Sequence, residues 1–210
     1  MSKLADGAMG RTTVETLKHL YLPKPGISIV DVPAMNFLMI DGRGRPGGNG
    51  EFQEAMEVLY GICYTLKFMR PKGDAIRELK VMPPEGLWGR DDTKFDPACE
   101  EDWVWTLMIM QPAPIDACHV RDACEELRQK KNPGALSRVR FERFAEGLAV
   151  QALHVGPYAA ESSTIENMYH YAEGQGYKFR GRHHEVYISD PRRTKPERLK
   201  TVLRHPIVKA

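Results

Sequence analysis

Residues 183–194 read His183-His184-Glu185-Val186-Tyr187-Ile188, followed by the turn Ser189-Asp190-Pro191-Arg192-Arg193-Thr194. The first six residues are compatible with a β-strand, and the Asp-Pro pair marks its end. Successive side chains on a strand point to opposite faces, so Glu185 and Tyr187 share one face while His184 and Val186 share the other. The strand therefore places a carboxylate beside a phenol.

This face of the strand has two interpretations. If it points inward, Glu185 must be paired, protonated or open to a cation, because burying an uncompensated charge costs more than a hydrogen bond returns. If it points outward, Glu185 is an ordinary solvated acid. The residues of the strand alone leave both interpretations open.

Composition limits the class of protein. With 42% hydrophobic and 28% charged residues among 210, the chain is typical of a globular protein, and we expect a single domain over residues 1–210. The 30 basic and 28 acidic residues are mixed and leave a net charge of +2, so no nucleic-acid or membrane partner is expected. The N-terminus lacks the apolar core of a signal peptide, which predicts a cytoplasmic protein.

The first half of the chain predicts a hairpin, a helix and two more strands. Apolar runs at 27–30 and 37–40 flank a turn, and a helical stripe extends from Phe52 to Leu66. Two strands are expected at 78–82 and 102–110, with a long loop rich in proline, glycine and aspartate between them. The glycine-rich stretch 42–50 is expected to be irregular.

The second half repeats this order, with strands near 139–141 and 149–155, a helix near 165–172 and strands at 184–188 and 199–204. An amphipathic helix with Asp116 as its cap links the copies. The expected segments are a first repeat at 24–115, a linking helix at 116–132 and a second repeat at 133–210. This duplication predicts an α+β fold, with two antiparallel sheets around a central ligand-binding cleft.

Three motifs, in this order, resemble a known family. They are Trp103-x-Trp105-Thr106-Leu107-Met108-Ile109-Met110-Gln111-Pro112, Leu153-His154-Val155-Gly156-Pro157-Tyr158 and the stretch 183–194. They resemble the stand-alone GyrI-like small-molecule-binding proteins from Lys24 onward. The resemblance implies a tandem repeat of a strand-helix-strand-strand unit, as in effector domains of multidrug-responsive regulators. In those domains an acid at the base of an aromatic pocket meets lipophilic cations, and the matching acid here is Glu185.

The resemblance implies two functions. One is binding of hydrophobic, often cationic, aromatic compounds, which contributes to their sequestration or to multidrug resistance. The other is that of the cyclopropanoid cyclopropyl hydrolases in this family, which add water to the strained ring of DNA-alkylating natural products. In a hydrolase, Glu185 would be a general base toward water, and Tyr187 or Tyr158 would stabilise developing negative charge. A protein-interaction module is a third class, and the sequence names no partner or oligomeric state.

Aromatic and flexible side chains are candidates for ligand contact, because rings attract flat aromatics and cations and methionines adapt to variable shapes. The candidates are Glu185, Trp103, Trp105, Tyr60, Tyr64, Met56, Met108, His154, Tyr158, Met168, Tyr169 and Tyr187. Each has a structural alternative, since tryptophans and methionines also fill cores and a lone histidine is often a satisfied structural group. No cofactor is expected, and no metal, because adjacent residues of 183–185 point to opposite faces.

Overall fold

A computed structural model describes residues 17–46, 50–89 and 103–210. The strands are β1 Ile27–Val32, β2 Met35–Arg43, β3 Pro84–Gly89, β4 Val104–Gln111, β5 Arg140–Phe144, β6 Gly147–Val155, β7 Tyr177–Phe179, β8 His183–Tyr187 and β9 Lys200–Lys209. The α-helices are α1 Lys18–Tyr21, α2 Glu51–Phe68, α3 Ala75–Glu78, α4 Ala117–Lys130 and α5 Glu161–Gly174. Within these ranges, no helix is long and apolar enough to cross a membrane.

The strands form an antiparallel sheet in the order β1-β6-β9-β8-β3-β4-β2-β5, and β7 pairs with the far end of β9. The order is symmetric about the central pair β8 and β3, because β9 corresponds to β4, β6 to β2 and β1 to β5. The edge strand of each half comes from the other half of the chain: β1, from the first half, pairs with β6, and β5, from the second half, pairs with β2. The α+β class and the duplicated unit are therefore confirmed, and the two expected sheets join edge to edge into one.

Both long helices lie on the same face of the sheet. The register places Trp88, Trp105 and Glu185 on this face, and Phe52 of α2 packs on both tryptophans. Helix α5 buries Met168 against residues of β6 and β9 on the same face. Helix α2 covers β4 and β2, α5 covers β6 and β9, and the central strands β3 and β8 lie between them.

The helix predicted from Phe52 and the capped linking helix are confirmed. Asp116 Oδ1 accepts from the backbone N–H of His119 at 2.9 Å, which closes the N-terminus of α4. Helix α4 packs on α2 where Gly61 leaves room: a Cβ there would lie 3.2 Å from Leu127 Cδ2. The linker therefore braces the helix that borders one side of the central strands.

The predicted strand at 78–82 is wrong. Residues 75–78 form a helical turn whose cap is Asp74, and the strand follows at 84–89. The last strand, predicted at 199–204, ends later than expected, because β9 continues to Lys209 and includes Pro206, opposite Ala149. Three ranges lie outside the described residues: 1–16, 47–49 and 90–102. The second belongs to the expected glycine-rich segment. The third covers most of the expected loop and the first residue of the strand expected at 102–110.

Candidate ligand-binding cleft

Strand β8 places Glu185 and Tyr187 on the helix-bearing face of the sheet, at the junction of its two halves. The residue opposite Glu185 on β3 is Gly86, and the residue opposite Tyr187 on β9 is Thr201. The side chain of Glu185 is 13% exposed, so it is sheltered but reachable from solvent. The inward interpretation of this face is thus the one found, and the space above β3 and β8, between α2 and α5, is here called the cleft.

A side-chain hydrogen bond spans the floor of the cleft. Trp88 Nε1 donates to the Tyr187 hydroxyl at 2.9 Å, which links β3 to β8. The two groups meet above Gly86, where a Cβ would lie 2.7 Å from Trp88 Nε1 and 2.9 Å from the Tyr187 oxygen. Only glycine at this position allows the indole and the phenol to approach each other in this way.

Aromatic rings continue from this floor to both sides. The rings of Phe52 and Trp88 stack with centroids 5.7 Å apart, and Trp103 meets Trp88 edge-on at 5.5 Å. On the other side, Tyr158 meets Tyr187 edge-on at 6.1 Å. Tyr158 lies in the short 3-10 turn Tyr158–Ala160, directly before α5. The cleft is therefore lined by rings from α2, the sheet and the segment leading into α5.

Two carboxylates, Glu161 and Glu185, lie at the cleft and act on each other electrostatically. Glu161, the first residue of α5, is only 6% exposed, and its Oε1 has no hydrogen-bond partner in the described part of the chain. Burial and the nearby charge of Glu185 raise the pKa of Glu161 to about 9. Glu185 Oε1 lies 3.4 Å from His183 Nε2. Within the described ranges, neither carboxylate forms an ion pair with a lysine or an arginine.

The phenols of the cleft are held in their neutral form. Burial, together with Glu161 and Glu185, raises the pKa of Tyr158 to about 12. Burial and the adjacent carboxylate of Glu185 also raise the pKa of Tyr187 well above its usual value. Neutral phenols are hydrogen-bond donors, so the cleft offers both proton acceptors and proton donors around one space.

The opposite face of β8 carries a buried ion network. His184 Nε2 lies 2.9 Å from Glu85 Oε2, and His184 Nδ1 lies 2.9 Å from Glu146 Oε2. Arg204 donates to Glu146 at 3.2 Å and to the Leu20 carbonyl at 2.8 Å, so the network also holds α1 against the sheet. Two acids and two bases balance each other's charge away from water.

The network shifts the pKa values of its members. Burial alone would lower the pKa of His184, but Glu146 and Glu85 reverse this effect and raise it to about 9. Burial would raise the pKa of Glu146, but His184 and Arg204 lower it to about 2. At neutral pH the imidazole is therefore charged and supports the strand that carries Glu185.

Comparison with known proteins identifies the family. The model of the GyrI-like small-molecule-binding domain matches residues 26–208. The chain belongs to the GyrI-like family. No curated protein matches it.

Several solved structures match nearly the whole chain. An uncharacterized conserved protein from Listeria innocua is 39% identical, with a TM-score of 0.85 over 93% of this chain and 98% of that one. A protein from Listeria innocua described as a hydrolase is 37% identical, with a TM-score of 0.81 over the same shares. The C-terminal domain of EcmrR is 12% identical, with a TM-score of 0.54 over 88% of this chain and 98% of that domain, and supports the fold alone.

Three predicted ligand-binding residues lie in the core of this GyrI-like domain rather than on the surface of the cleft. Trp105 is 1% exposed and lies beneath Phe52, with its indole N–H donating to the Gly44 carbonyl at 3.0 Å. Met108 is fully buried and projects from the opposite face, and Met168 is fully buried under α5. Their packing shapes the walls, but a ligand in the cleft would not touch them directly.

The predicted residues of α2 border the cleft or extend from it. Tyr60 is partly buried and its ring stacks on Tyr64 with centroids 6.1 Å apart. Burial and the neighbouring Tyr64 raise the pKa of Tyr60 to about 12, and Asp190, in the turn after β8, also contributes. Met56 is partly buried and packs against the core below. Tyr64 is largely exposed on the outer side of this helix.

The remaining two predicted residues have other partners. His154 is buried, with Nδ1 2.9 Å from the Thr164 hydroxyl and Nε2 3.3 Å from the Pro157 carbonyl. Both ring nitrogens are thus engaged, and His154 fixes the turn that carries Tyr158. Tyr169 packs edge-on against Phe179 of β7 at 5.5 Å, toward the outer end of the sheet.

Sequence reasoning missed Trp88 and Glu161. Trp88 fell within a segment rich in proline and glycine that was interpreted as a loop. An acid at the first position of a helix is common because it faces the positive end of the helix dipole, so Glu161 gave no sign of its burial. Trp88 lies between Gly86 and Gly89, and glycines in a strand can mark a place where other groups approach the backbone closely. This spacing was the available signal for the site at β3.

Two further features bear on what the cleft binds. A cavity of about 20 Å³ lies between α2, α3 and β4, is lined by Cys63, Met110 and Ile115 among others, and has room for about one water molecule. None of the acids or rings of the cleft lines it. Within residues 17–46, 50–89 and 103–210, no group of three or more histidine, cysteine or acidic residues is arranged to hold a metal ion.

Proposed function

We propose that this GyrI-like protein binds hydrophobic aromatic compounds, often cations, in the cleft between the two halves of its sheet. The family match supports small-molecule binding. The observation that carries the finer proposal is a sheltered carboxylate, Glu185, beside a wall of rings and without an arginine or lysine partner among residues 17–46, 50–89 and 103–210. Sequestration of such compounds, and resistance to them, would follow from tight binding.

The ligand class follows from differential solvation. A delocalised organic cation loses little hydration on burial, and contact with a ring contributes about 0.5–2 kcal/mol. A small inorganic cation loses much more hydration and gains no ring contact. Trp103 and Tyr158, which are partly exposed, would face the ligand's aromatic groups while Glu185 would offset its charge.

A titration with tetraphenylphosphonium, followed by tryptophan fluorescence, tests the anchor. We expect Glu185→Gln to weaken binding by about 5-fold or more, because a desolvated charge pair is lost. Glu166→Gln is the matched control, since Glu166 lies exposed on the outer side of α5. If Glu185→Gln binds as tightly as the wild type, within about 2-fold, Glu185 is not the anchor.

Hydrolysis is the second candidate function, favoured by the 37% identity to a protein described as a hydrolase. Glu185 would take a proton from water as the water oxygen bonds to a carbon of a strained cyclopropane ring. The ring C–C bond would break, and its electrons would pass to a conjugated carbonyl that accepts a hydrogen bond from Tyr187 or Tyr158.

Mass spectrometry separates the two candidates. The full chain would be incubated with a cyclopropane-bearing alkylator, and the product mass would be compared with that of the uncatalysed sample. Addition of one water molecule above background would support the hydrolase. Binding without water addition would remove the hydrolase and leave the binding function in place.

A further inference from the structure

Glu161 is the least compensated acid of the cleft. It begins α5 and lies almost entirely out of solvent, and no described residue forms a hydrogen bond with one of its carboxylate oxygens. The other carboxylate of the cleft, Glu185, comes from β8 and is close enough to be the main charged group acting on it. Two elements from different parts of the fold thus bring two acids together.

Among the described residues, no lysine or arginine forms an ion pair with either acid. Tyr158 faces Glu161 from the preceding turn, and Tyr187 faces Glu185 from β8; both are phenols. From β9, the Thr201 hydroxyl lies near Glu161 and carries no charge. His183 Nε2 lies 3.4 Å from Glu185 Oε1.

Three more titratable groups of the described residues lie nearby. Asp190, in the turn after β8, adds a further negative charge near Tyr158. On β6, His154 is held by Thr164 and by the Pro157 carbonyl. On β9, His205 has its pKa lowered to about 3 by burial and by His183, so it is neutral near pH 7 and adds no positive charge.

Two carboxylates that share a partly dry site cannot both be ionised at low cost, so one proton stays on the pair. The more deeply buried member retains it, because the charged form of that member loses more hydration. Glu161 is the more buried of the two, and its raised pKa is consistent with this assignment.

We propose that Glu161 and Glu185 form a proton-exchanging pair, in which a permanent organic monocation replaces the proton held on Glu161 when it enters the cleft. The inference rests on the proposed binding function and deepens it. The O–H bond of Glu161 breaks, its proton passes to solvent, and the ligand's positive charge takes its place. One cation enters and one proton leaves, so the net charge of the cleft stays constant.

This exchange makes Glu161 a residue that determines specificity. A neutral ligand of the same shape cannot replace the proton, and it would meet an added negative charge at high pH. Cation affinity should rise with pH, by up to about 10-fold per unit, and level off above the pKa of Glu161. The affinity for a neutral ligand should stay flat or fall slightly over the same range.

Calorimetry tests the exchange directly. The full chain would be titrated with tetraphenylphosphonium in phosphate and in Tris, whose heats of ionisation differ, to count the protons released. We expect close to one proton released per cation near neutral pH for the wild type, and almost none for Glu161→Gln. Triphenylphosphine oxide, which is neutral, should release none.

The affinities give a second readout. Glu161→Gln mimics the protonated acid, so its cation affinity should match the wild type within about 2-fold near pH 6 and fall about 100-fold or more behind near pH 9. Circular dichroism would establish that the variant is folded, and Glu166→Gln should follow the wild type. Binding without proton release, or equal release from Glu161→Gln, would overturn the proposal.

A measurement without ligand keeps this inference separate from the proposed function. Carbon-13 NMR of the side-chain carboxyl groups would follow the titration of Glu161 in the empty protein. We expect it to stay protonated at neutral pH, and ionisation in the ordinary range of glutamates would overturn the exchange. If neither probe binds while Glu161 titrates as expected, the proposed ligand class fails and the carboxyl pair stands.

Discussion

His184 and Glu185 are neighbours in the chain, but their side chains lie on opposite faces of the central sheet. His184 sits between Glu85 and Glu146 in the buried network, and Glu185 faces the cleft. Strand β8 therefore contributes one residue to the buried network that holds α1, and the next residue to the cleft where a ligand would bind. Changes in the charge of His184 affect the support of the strand, whereas changes at Glu185 affect the ligand.

The stability of the protein should depend on pH through the network. Because the folded pKa of His184 is raised to about 9, its contribution is complete below about pH 6.5 and is lost as the pH rises through 9. We expect the difference in unfolding free energy between the wild type and His184→Gln to shrink by about 2–3 kcal/mol over this range. Urea unfolding at several pH values measures it, and a constant difference would contradict the assignment.

The contribution of Glu146 to stability is lost at low pH. Its folded pKa is lowered to about 2, so its contribution is complete above about pH 4.5 and is lost as the pH falls through 2. Glu146→Gln should cost about 3–5 kcal/mol near neutral pH, because His184 and Arg204 would be left as buried charges without their partner. The exposed Glu142→Gln, on strand β5, is the control and should change little.

Glu161→Gln should stabilise the empty protein. The folded pKa of Glu161 is raised to about 9, so its contribution is present at low pH and is lost as the pH rises from about 4.5 toward 9. Above neutral pH, the isosteric amide should therefore unfold with a free energy about 1–3 kcal/mol larger, and the gain should grow with pH. If Glu161→Gln is less stable than the wild type at pH 8, the carboxylate of Glu161 has a stabilising partner other than the contacts described above. Stability given up at a binding site is a common trade-off.

Gly86→Ala should disrupt the floor of the cleft. The added Cβ would come within 3 Å of both the Trp88 indole nitrogen and the Tyr187 oxygen, so their hydrogen bond must open. We expect ligand affinity to fall about 10-fold or more, with a shift in tryptophan fluorescence.

Gly174→Ala is the matched control for this substitution. It ends α5, and a Cβ there would meet nothing within 4 Å. Ligand affinity should stay within about 2-fold of the wild type. Unchanged binding by Gly86→Ala would mean that the Trp88 to Tyr187 bond does not shape the site.

The duplicated fold and Glu185 could be predicted from the sequence because they are encoded locally. Helices α2 and α4 have clear apolar periodicity, and the strand around Glu185 has alternating faces and an Asp-Pro end. Strand β3 could not be predicted, because Pro84, Gly86 and Gly89 weaken every strand signal. Because the sequence does not predict this strand, it does not predict the position of Trp88 either.

Two errors at the site have a different cause. Strand β4 is buried on both faces, so its side chains gave no indication of which face borders the cleft, and Met108 was grouped with Trp103. Glu161 looks like any acid at the start of a helix, and its burial depends on the packing of α5 beside β8. Tertiary contacts of this kind leave no local pattern.

The central claim is that Glu185 and the rings beside it form the binding site. A crystal structure of the full chain with tetraphenylphosphonium tests it most directly. We expect the cation between α2 and α5, with its phosphorus within about 6 Å of the Glu185 carboxylate and at least one phenyl group against Trp103 or Tyr158. A cation bound elsewhere, with the cleft unchanged, would contradict the claim.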